Sequence, residues 1–429
     1  PRRFAVMHLI PDEIRHASRQ LGPGLITGAA DDDPSGIATY SQAGAAFGVG
    51  MAWTLVITTP LMIAIQMVSA RIGWVTGRGL AATMCRVLPR WLSLSLVVML
   101  VLANTLNIAA DIAAMGEALQ LVVGGGQHGH ALVFGALCAG LPVWFNYDGM
   151  VRVFKWLTLA LLSYVVVVLV LHVQWATLLH QSILPEAGAG SAYWMMVVAV
   201  LGTTISPYLF FWQASQEAEL RQRGQALEEP INSTRFMREH LARIKLDTQF
   251  GMGFSNVIAL CVMLATTLTL HANGHFDIQT TAQAAQALKP IAGDFAFTLF
   301  ALGIVGTGML AVPVLAGSAA YAVADVFEWR SGLDHRLGEA KGFYAVLISA
   351  TVVGTLLDFT PLDPIKALVW SAVVNGVIAV PIMAVLMVIG SRESILGEHT
   401  LSLRHRVFGW LAFAVMLLAV LAMLASSGE

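Results

Sequence analysis

The sequence predicts an all-α membrane protein of eleven transmembrane helices, built as two inverted repeats of five plus a last helix, with helices one and six broken. Three observations carry that reading. Of 429 residues, 57% are of the AVILMFWYC type and only 12% are Asp, Glu, Lys or Arg, about half the charged share of a soluble domain. The charges cluster between apolar runs long enough, at about 20 residues, to cross a bilayer. Two of those runs, five spans apart, carry a proline in mid-span, Pro34 and Pro207.

Taken in order, the apolar runs place spans near 22–48, 51–75, 91–119, 131–146, 151–173, 193–214, 249–271, 294–323, 342–358, 364–390 and 406–425. The fourth is short. Residues 1–20 hold Arg2, Arg3, Arg15 and Arg19 without an apolar core, so they read as a cytoplasmic N-terminal segment rather than a cleavable signal. Residues 21–173 then form the first repeat half. Residues 174–390 form the second half and include a cytoplasmic loop at 215–248. Residues 391–429 hold helix eleven.

Charge tests the count and the direction. With the N-terminus in the cytoplasm, only Lys289 and Lys366 of the 24 Lys and Arg residues fall outside, as the positive-inside rule requires. An even number of spans would destroy that alternation. The reading is a multi-pass protein of the cell (inner) membrane. Trp91, Trp156, Trp194 and Trp410 near span ends fit interfacial anchors. Within 215–248, Phe236, Leu241 and Ile244 share a face opposite Arg238 and Arg243. That face suits a membrane-surface gating helix or a cytoplasmic extension of span seven.

The same numbers exclude other classes. A net charge of −2 offers no basic excess for nucleic acid. Cys85, Cys138 and Cys261 are far apart and form no CxxC pair, so they read as small core residues. No phosphate-binding loop and no nucleophile–base pattern stand out, so the chain does not read as an enzyme. Gly303, Gly306 and Gly308 read as packing glycines. His271 and His275 flank a short outer loop, as a metal-capturing pair or as solvated side chains.

Span one reads Ala30-Asp31-Asp32-Asp33-Pro34-Ser35-Gly36. An ionised carboxylate in mid-bilayer is disfavoured by about 2.5–3.5 kcal/mol on insertion scales. Pro34 removes a backbone donor and crowds the preceding turn, so the helix breaks near 31–36. The break frees carbonyls that must line a cavity or be buried in protein, where a cation can use them with a carboxylate. Span six has a counterpart, Gly202-Thr203-Thr204-Ile205-Ser206-Pro207-Tyr208. Paired interruptions in two halves of opposite orientation point to a midplane site in an inverted-repeat transporter. In span three, Asp111 is an intramembrane acid, as an ion or proton relay or as a polar helix contact.

These residues resemble the NRAMP family of divalent-metal transporters. The resemblance runs through Gly22-Pro-Gly, Asp33-Pro34, Ile37-Ala38-Thr39, Gln42-Ala-Gly-Ala45, Phe47-Gly48, Ser69-Ala-Arg71, Val75-Thr76-Gly77 and Ala110-Asp111-Ile112-Ala113. It implies a LeuT-like fold with a metal bound between the breaks of helices one and six, the metal being cargo and no cofactor being needed. Asp33 is then the principal ligand, with Ala30 and Thr203 supplying carbonyls and Ser206 a further oxygen. Asp31, Asp32, Gly36 and Tyr208 are accessory candidates.

The chain departs from the family pattern in ways that carry chemistry. Typical members have Asn, Met and His where this sequence has Gly36, Ser206 and Tyr208. Losing a soft thioether leaves oxygen donors, which suit Mg²⁺ with Mn²⁺ as competitor; the sequence looks closer to the NRAMP-related magnesium branch. A carboxylate usual three residues after the third-helix Asp is Ala114 here, and 342–358 holds no Lys or Arg. Glu117, six residues after Asp111, is the nearest substitute in a relay. The expectation is uptake of Mn²⁺ and/or Mg²⁺ by alternating access, with weak or absent proton coupling. The rival is a LeuT-fold carrier of an amino acid or other small organic solute. Partners are the cation and membrane lipid, and the sequence sets no oligomeric state.

Overall fold

A computed structural model describes residues 23–144, 159–171, 173, 175–176, 180, 190–226, 234–333, 335–360 and 363–427. The segment 1–20, the start of the fifth span with Trp156, and Glu228-Glu229-Pro230 lie outside the described residues. Among the described residues every regular element is a helix. The principal ones are α1 (Pro23–Asp31), α2 (Pro34–Phe47), α3 (Ala52–Thr76), α4 (Arg90–Val123), α5 (Gln127–Trp144), α6 (Leu162–Val170), α7 (Ser191–Thr204) and α8 (Pro207–Ala226). There follow α9 (Thr234–Thr269), α10 (Ala296–Phe327), α11 (Lys341–Leu357), α12 (Pro364–Gly390) and α13 (Leu403–Ser426). Seven described stretches are long and apolar enough to cross a membrane, and Leu159–Val170 and Lys341–Leu357 are shorter apolar helices.

Local chemistry explains where the helices start. Asp33 sits in extended conformation (φ −69°, ψ 169°) as the N-cap of α2, its Oδ1 accepting the Gly36 N–H at 2.6 Å, with Pro34 in the first turn. Asp363 repeats the device at α12, where it accepts the Ile365 N–H at 3.1 Å ahead of Pro364. An Asp cap contributes about 1 kcal/mol, and proline at the first helical position loses no bond because that N–H has no intrahelical partner. At the second interruption α7 stops at Thr204 and α8 starts at Pro207. The Ser206 hydroxyl turns back to the Gly202 and Thr203 carbonyls, at 2.9 and 2.8 Å. Its one hydrogen is shared between them, and so helps serve the Thr203 carbonyl that Pro207, lacking an N–H, cannot bond.

The innermost helix is α10, buried without interruption from Gly306 to Ala322, as expected of a helix apolar all round. It lies along α4; α9 lies along α1, α2 and α3, α7 along α12, and α8 along α3. The outermost described helix, α13, exposes Leu403, Val407, Leu411, Leu418, Leu421 and Leu424. Small residues set the closest crossings. A Cβ on Gly28 would run into the carbonyl of Gly251, and one on Gly202 into that of Ala372. Gly308 packs on Met115, which is a packing role.

The expected loop at 215–248 is helical over 215–226 and 234–248. The amphipathic stretch is the first part of the continuous helix α9. It packs through Met237 and Ile244, with Phe236 and Leu241 beside them, against Ala70 and Trp74 of α3. Burial of that face on protein explains its pattern without a free surface helix. Of the outer-loop histidines, His271 Nδ1 pairs with the Ala45 carbonyl at 2.7 Å and its ring meets Phe276, so it is tied to the end of α2.

Gly28→Val is expected to destabilise the fold by about 1–3 kcal/mol through overpacking. Gly253→Ala, in the same α9 but with nothing within 4 Å of an added Cβ, is expected to leave it unchanged. Thermal unfolding in detergent separates the two.

Candidate functional site

The two interruptions face each other. A Cβ on Gly36 would stand 3.1 Å from Thr203 Oγ1 and 3.3 Å from the Asp31 carbonyl oxygen, so the first turn of α2 rests on the end of α7. From α8, the Tyr208 hydroxyl donates to the Ala30 carbonyl at 2.9 Å and stands 3.5 Å from Asp33 Oδ2. Ala30, Asp33, Thr203, Ser206 and Tyr208 are all buried, Asp33 with 2% of its surface exposed. The structure therefore brings together the residues expected at the two breaks. Their polar side chains and carbonyls present oxygen only.

The three consecutive aspartates do not act as one cluster. Asp33 turns to the Gly36 amide, whereas Asp31 Oδ2 and Asp32 Oδ1 both face the Ser255 hydroxyl of α9, at 2.8 and 3.0 Å. A hydroxyl has one hydrogen, so it serves one of these carboxylates at a time. Asp31 Oδ1 is buried with no partner. Among the described residues no group of three or more His, Cys, Asp or Glu side chains is arranged to hold a metal. A cation at Asp33 must therefore be completed by carbonyls, hydroxyls and water.

Asp111 lies near enough to Asp33 for their charges to interact, and beside the Ser35 amide. It is fully buried, and neither of its carboxylate oxygens has a hydrogen-bond partner. Asn107, one turn earlier and on the same face of α4, is likewise buried with its amide unpaired. Glu117 is held elsewhere: its Oε1 accepts the Thr281 N–H at 3.2 Å, from the segment ahead of α10.

Two cavities lie near opposite ends of α11, one of them beside the site. One, of about 540 Å³, is lined by Asp358, Asp363, Lys366, Ala110 and Ser371 among others. Its floor at Ser371 touches the site directly, because Ser371 Oγ and Ser35 Oγ are 3.1 Å apart, and Ser35 donates to the Leu368 carbonyl at 2.9 Å. The other, of about 560 Å³, is lined by Arg78, Ser215, Glu219, Tyr321 and Asp325 among others. There Tyr321 donates to Glu219 at 2.6 Å, and its ring meets the edge of the fully buried Trp212.

Sequence reasoning missed Ser255, Ser35, Ser371 and Asn107. The first three are single hydroxyls in apolar helices, and nothing in a linear pattern says which helix faces which. Asn107 had a usable signal, its four-residue spacing from Asp111.

Residues 24–426 match the family model described as natural resistance-associated macrophage protein-like, or Nramp. Among curated relatives, the divalent metal cation transporter MntH of Klebsiella pneumoniae (strain 342) is 25% identical over 413 residues, covering 92% of this chain and 91% of its own. MntH of Yersinia pestis (strain Pestoides F) is 26% identical over 304 residues, covering 67% of this chain and 68% of its own. Among solved structures, the Eremococcus coleocola manganese transporter superposes with a TM-score of 0.76 at 15% identity, over 99% of this chain and 91% of that one. MhsT in complex with L-phenylalanine does so at 0.59 and 10% identity, over 94% and 98%. These likenesses show a LeuT-like all-helical membrane fold. The relatives are transporters, not enzymes.

Ser255→Ala removes the one hydroxyl shared by two buried carboxylates, a loss of about 1–3 kcal/mol for groups left unsatisfied. Its melting temperature in detergent is expected to fall clearly, while Ser255→Thr retains the donor and most of the stability.

Proposed function

The chain belongs to the Nramp family, and from that premise we propose that it carries divalent metal cations, Mn²⁺ and/or Mg²⁺, across the cell membrane by alternating access. The observation that carries the proposal is Asp33, a carboxylate buried in a helix interruption and opposed by a second interruption whose donors are all oxygen. Support comes also from relatives described as divalent metal cation transporters.

On this reading Asp33 is the principal ligand through Oδ2, its Oδ1 being engaged by the Gly36 amide. Ala30 and Thr203 contribute carbonyls. Each already accepts one hydroxyl, from Tyr208 and Ser206 respectively, and keeps a second lone pair. Ser206 contributes its hydroxyl oxygen. Tyr208 orients the Ala30 carbonyl, and Gly36 leaves room for Thr203. A small, hard cation that keeps several waters suits such a set, which favours Mg²⁺ over what a thioether site would take. Asp111 and Asn107 supply a polar surface beside the ligand, and Asp31 and Asp32 make the vestibule negative. Proton coupling is weak or absent on this reading, since Ala114 and Tyr208 stand where the family places titrating groups and Glu117 bonds Thr281.

The architecture proposed is eleven spans, with 21–173 and 174–390 as inverted halves around broken helices one and six, and helix eleven in 391–429. The N-terminus is cytoplasmic, as the Lys and Arg distribution argues, and transport on this reading is inward. An organic solute is disfavoured: a substrate carboxylate would meet Asp31, Asp32 and Asp33.

Asp33→Asn retains an oxygen to cap α2 but loses the charge. It is expected to abolish Mn²⁺ and Mg²⁺ uptake into proteoliposomes while leaving the melting temperature near that of the parent. Uptake at the parent rate would remove Asp33 from the ligand set. Ser206→Met is expected to shift competition toward Mn²⁺ and Cd²⁺ and away from Mg²⁺, by about tenfold or more in relative affinity, read by isothermal titration.

A further inference from the structure

We propose that the crevice between α3, α9 and α13 binds the headgroup and one acyl chain of an anionic phospholipid. The crevice, of about 260 Å³, is lined by Pro60, Ile63, Ala64 and Met67 of α3, Lys245 and Gln249 of α9, and Arg404, His405 and Phe408 of α13. Its two ends differ in chemistry. Lys245, Arg404 and His405 crowd one end, and Arg71 joins them, close enough for all three cations to act on His405. Arg71 is held by the His399 and Thr400 carbonyls. Among the described residues no carboxylate within salt-bridge distance of Lys245, Arg404 or Arg71 offsets this charge.

The other end is apolar. From Met67 to Pro60 is seven residues, which gives about 10 Å of hydrophobic wall along α3, with Phe408 exposed on the facing helix. Three chain segments converge to make the site, so it is not one helix's solvated face. Like charges gathered at the end of an apolar slot match an anion that carries its own hydrocarbon. Basic pockets between membrane helices take acidic phospholipids for that reason. A free phosphate would use the cations but leave the wall empty.

The experiment uses the full chain in neutral detergent, titrated with phosphatidylglycerol, phosphatidylcholine of the same acyl chains, or inorganic phosphate, and read by native mass spectrometry and melting temperature. Phosphatidylglycerol is expected to bind and stabilise at least tenfold more tightly than phosphatidylcholine, and phosphate to have no effect at matched concentration. Lys245→Gln with Arg404→Gln is expected to weaken phosphatidylglycerol by about thirtyfold, at about fivefold per basic residue. Arg336→Gln, an exposed charge elsewhere, leaves it unchanged. Both targeted residues are exposed; if the double variant does not fold, each single variant is read the same way with a fivefold loss. Equal binding of the two lipids, equal stabilisation by phosphate, or full affinity in the folded variants overturns the proposal.

Discussion

The structure depends on one constraint: polar backbone and charged side chains inside an apolar bundle must find partners within the protein. Two helices stop in mid-bundle, and each stop is made good by a side chain of its own segment. Asp33 takes the Gly36 amide, and Ser206 shares its one hydrogen between the Gly202 and Thr203 carbonyls. Each bond closes one half of the gap. The Tyr208 hydroxyl crosses between the halves to the Ala30 carbonyl. Removing water from this junction makes each contact electrostatically stronger and each unpaired oxygen more demanding.

That constraint sorts three adjacent aspartates into different work. Extended backbone at Asp33 turns its side chain along α2, toward the amide it caps. Asp31, still in α1, and Asp32 meet Ser255 on α9 instead. Asp31 keeps an oxygen without a partner, and Asp111 keeps two. Unsatisfied carboxylate oxygens in such numbers do not stabilise a fold. Their presence around this junction is therefore a feature that packing alone does not account for.

Much of this was legible in the sequence, and the rest failed for identifiable reasons. Long apolar helices follow from composition, and α12 falls on 364–390 because Asp363-Pro364 is a helix start written in two residues. The Asp33-Pro34 pair is the same signal inside an apolar run, which is why the position stood out. The 215–248 stretch allows two readings, a surface helix or an extension of span seven; Met237 and Ile244 bury against Trp74 and α9 begins at Thr234, which is the extension. Ser255, Ser35 and Ser371 could not be read, since a hydroxyl's importance here comes from a partner more than two hundred residues away. Glu117 stands out by spacing along α4, and its Oε1 accepts the Thr281 N–H through a contact that only tertiary structure supplies.

The two cavities have different chemistry between them and the helix interruptions. Toward the cavity lined by Asp358 and Asp363, the wall beside the site contains a hydroxyl pair, Ser35 and Ser371, whose bonds water can replace at little cost. Toward the cavity lined by Glu219 and Asp325, the wall holds Trp212 wedged on Gly317 and edge-on to Tyr321, which itself donates to Glu219. On that side α1, α3, α8 and α9 are also laced together. Gly24 gives its amide to Asp247, and Gln66 and Gln213 form a chain that reaches Thr248. A hydroxyl pair exchanges for water at little cost, whereas Trp212 seated on Gly317 is close packing that water cannot replace.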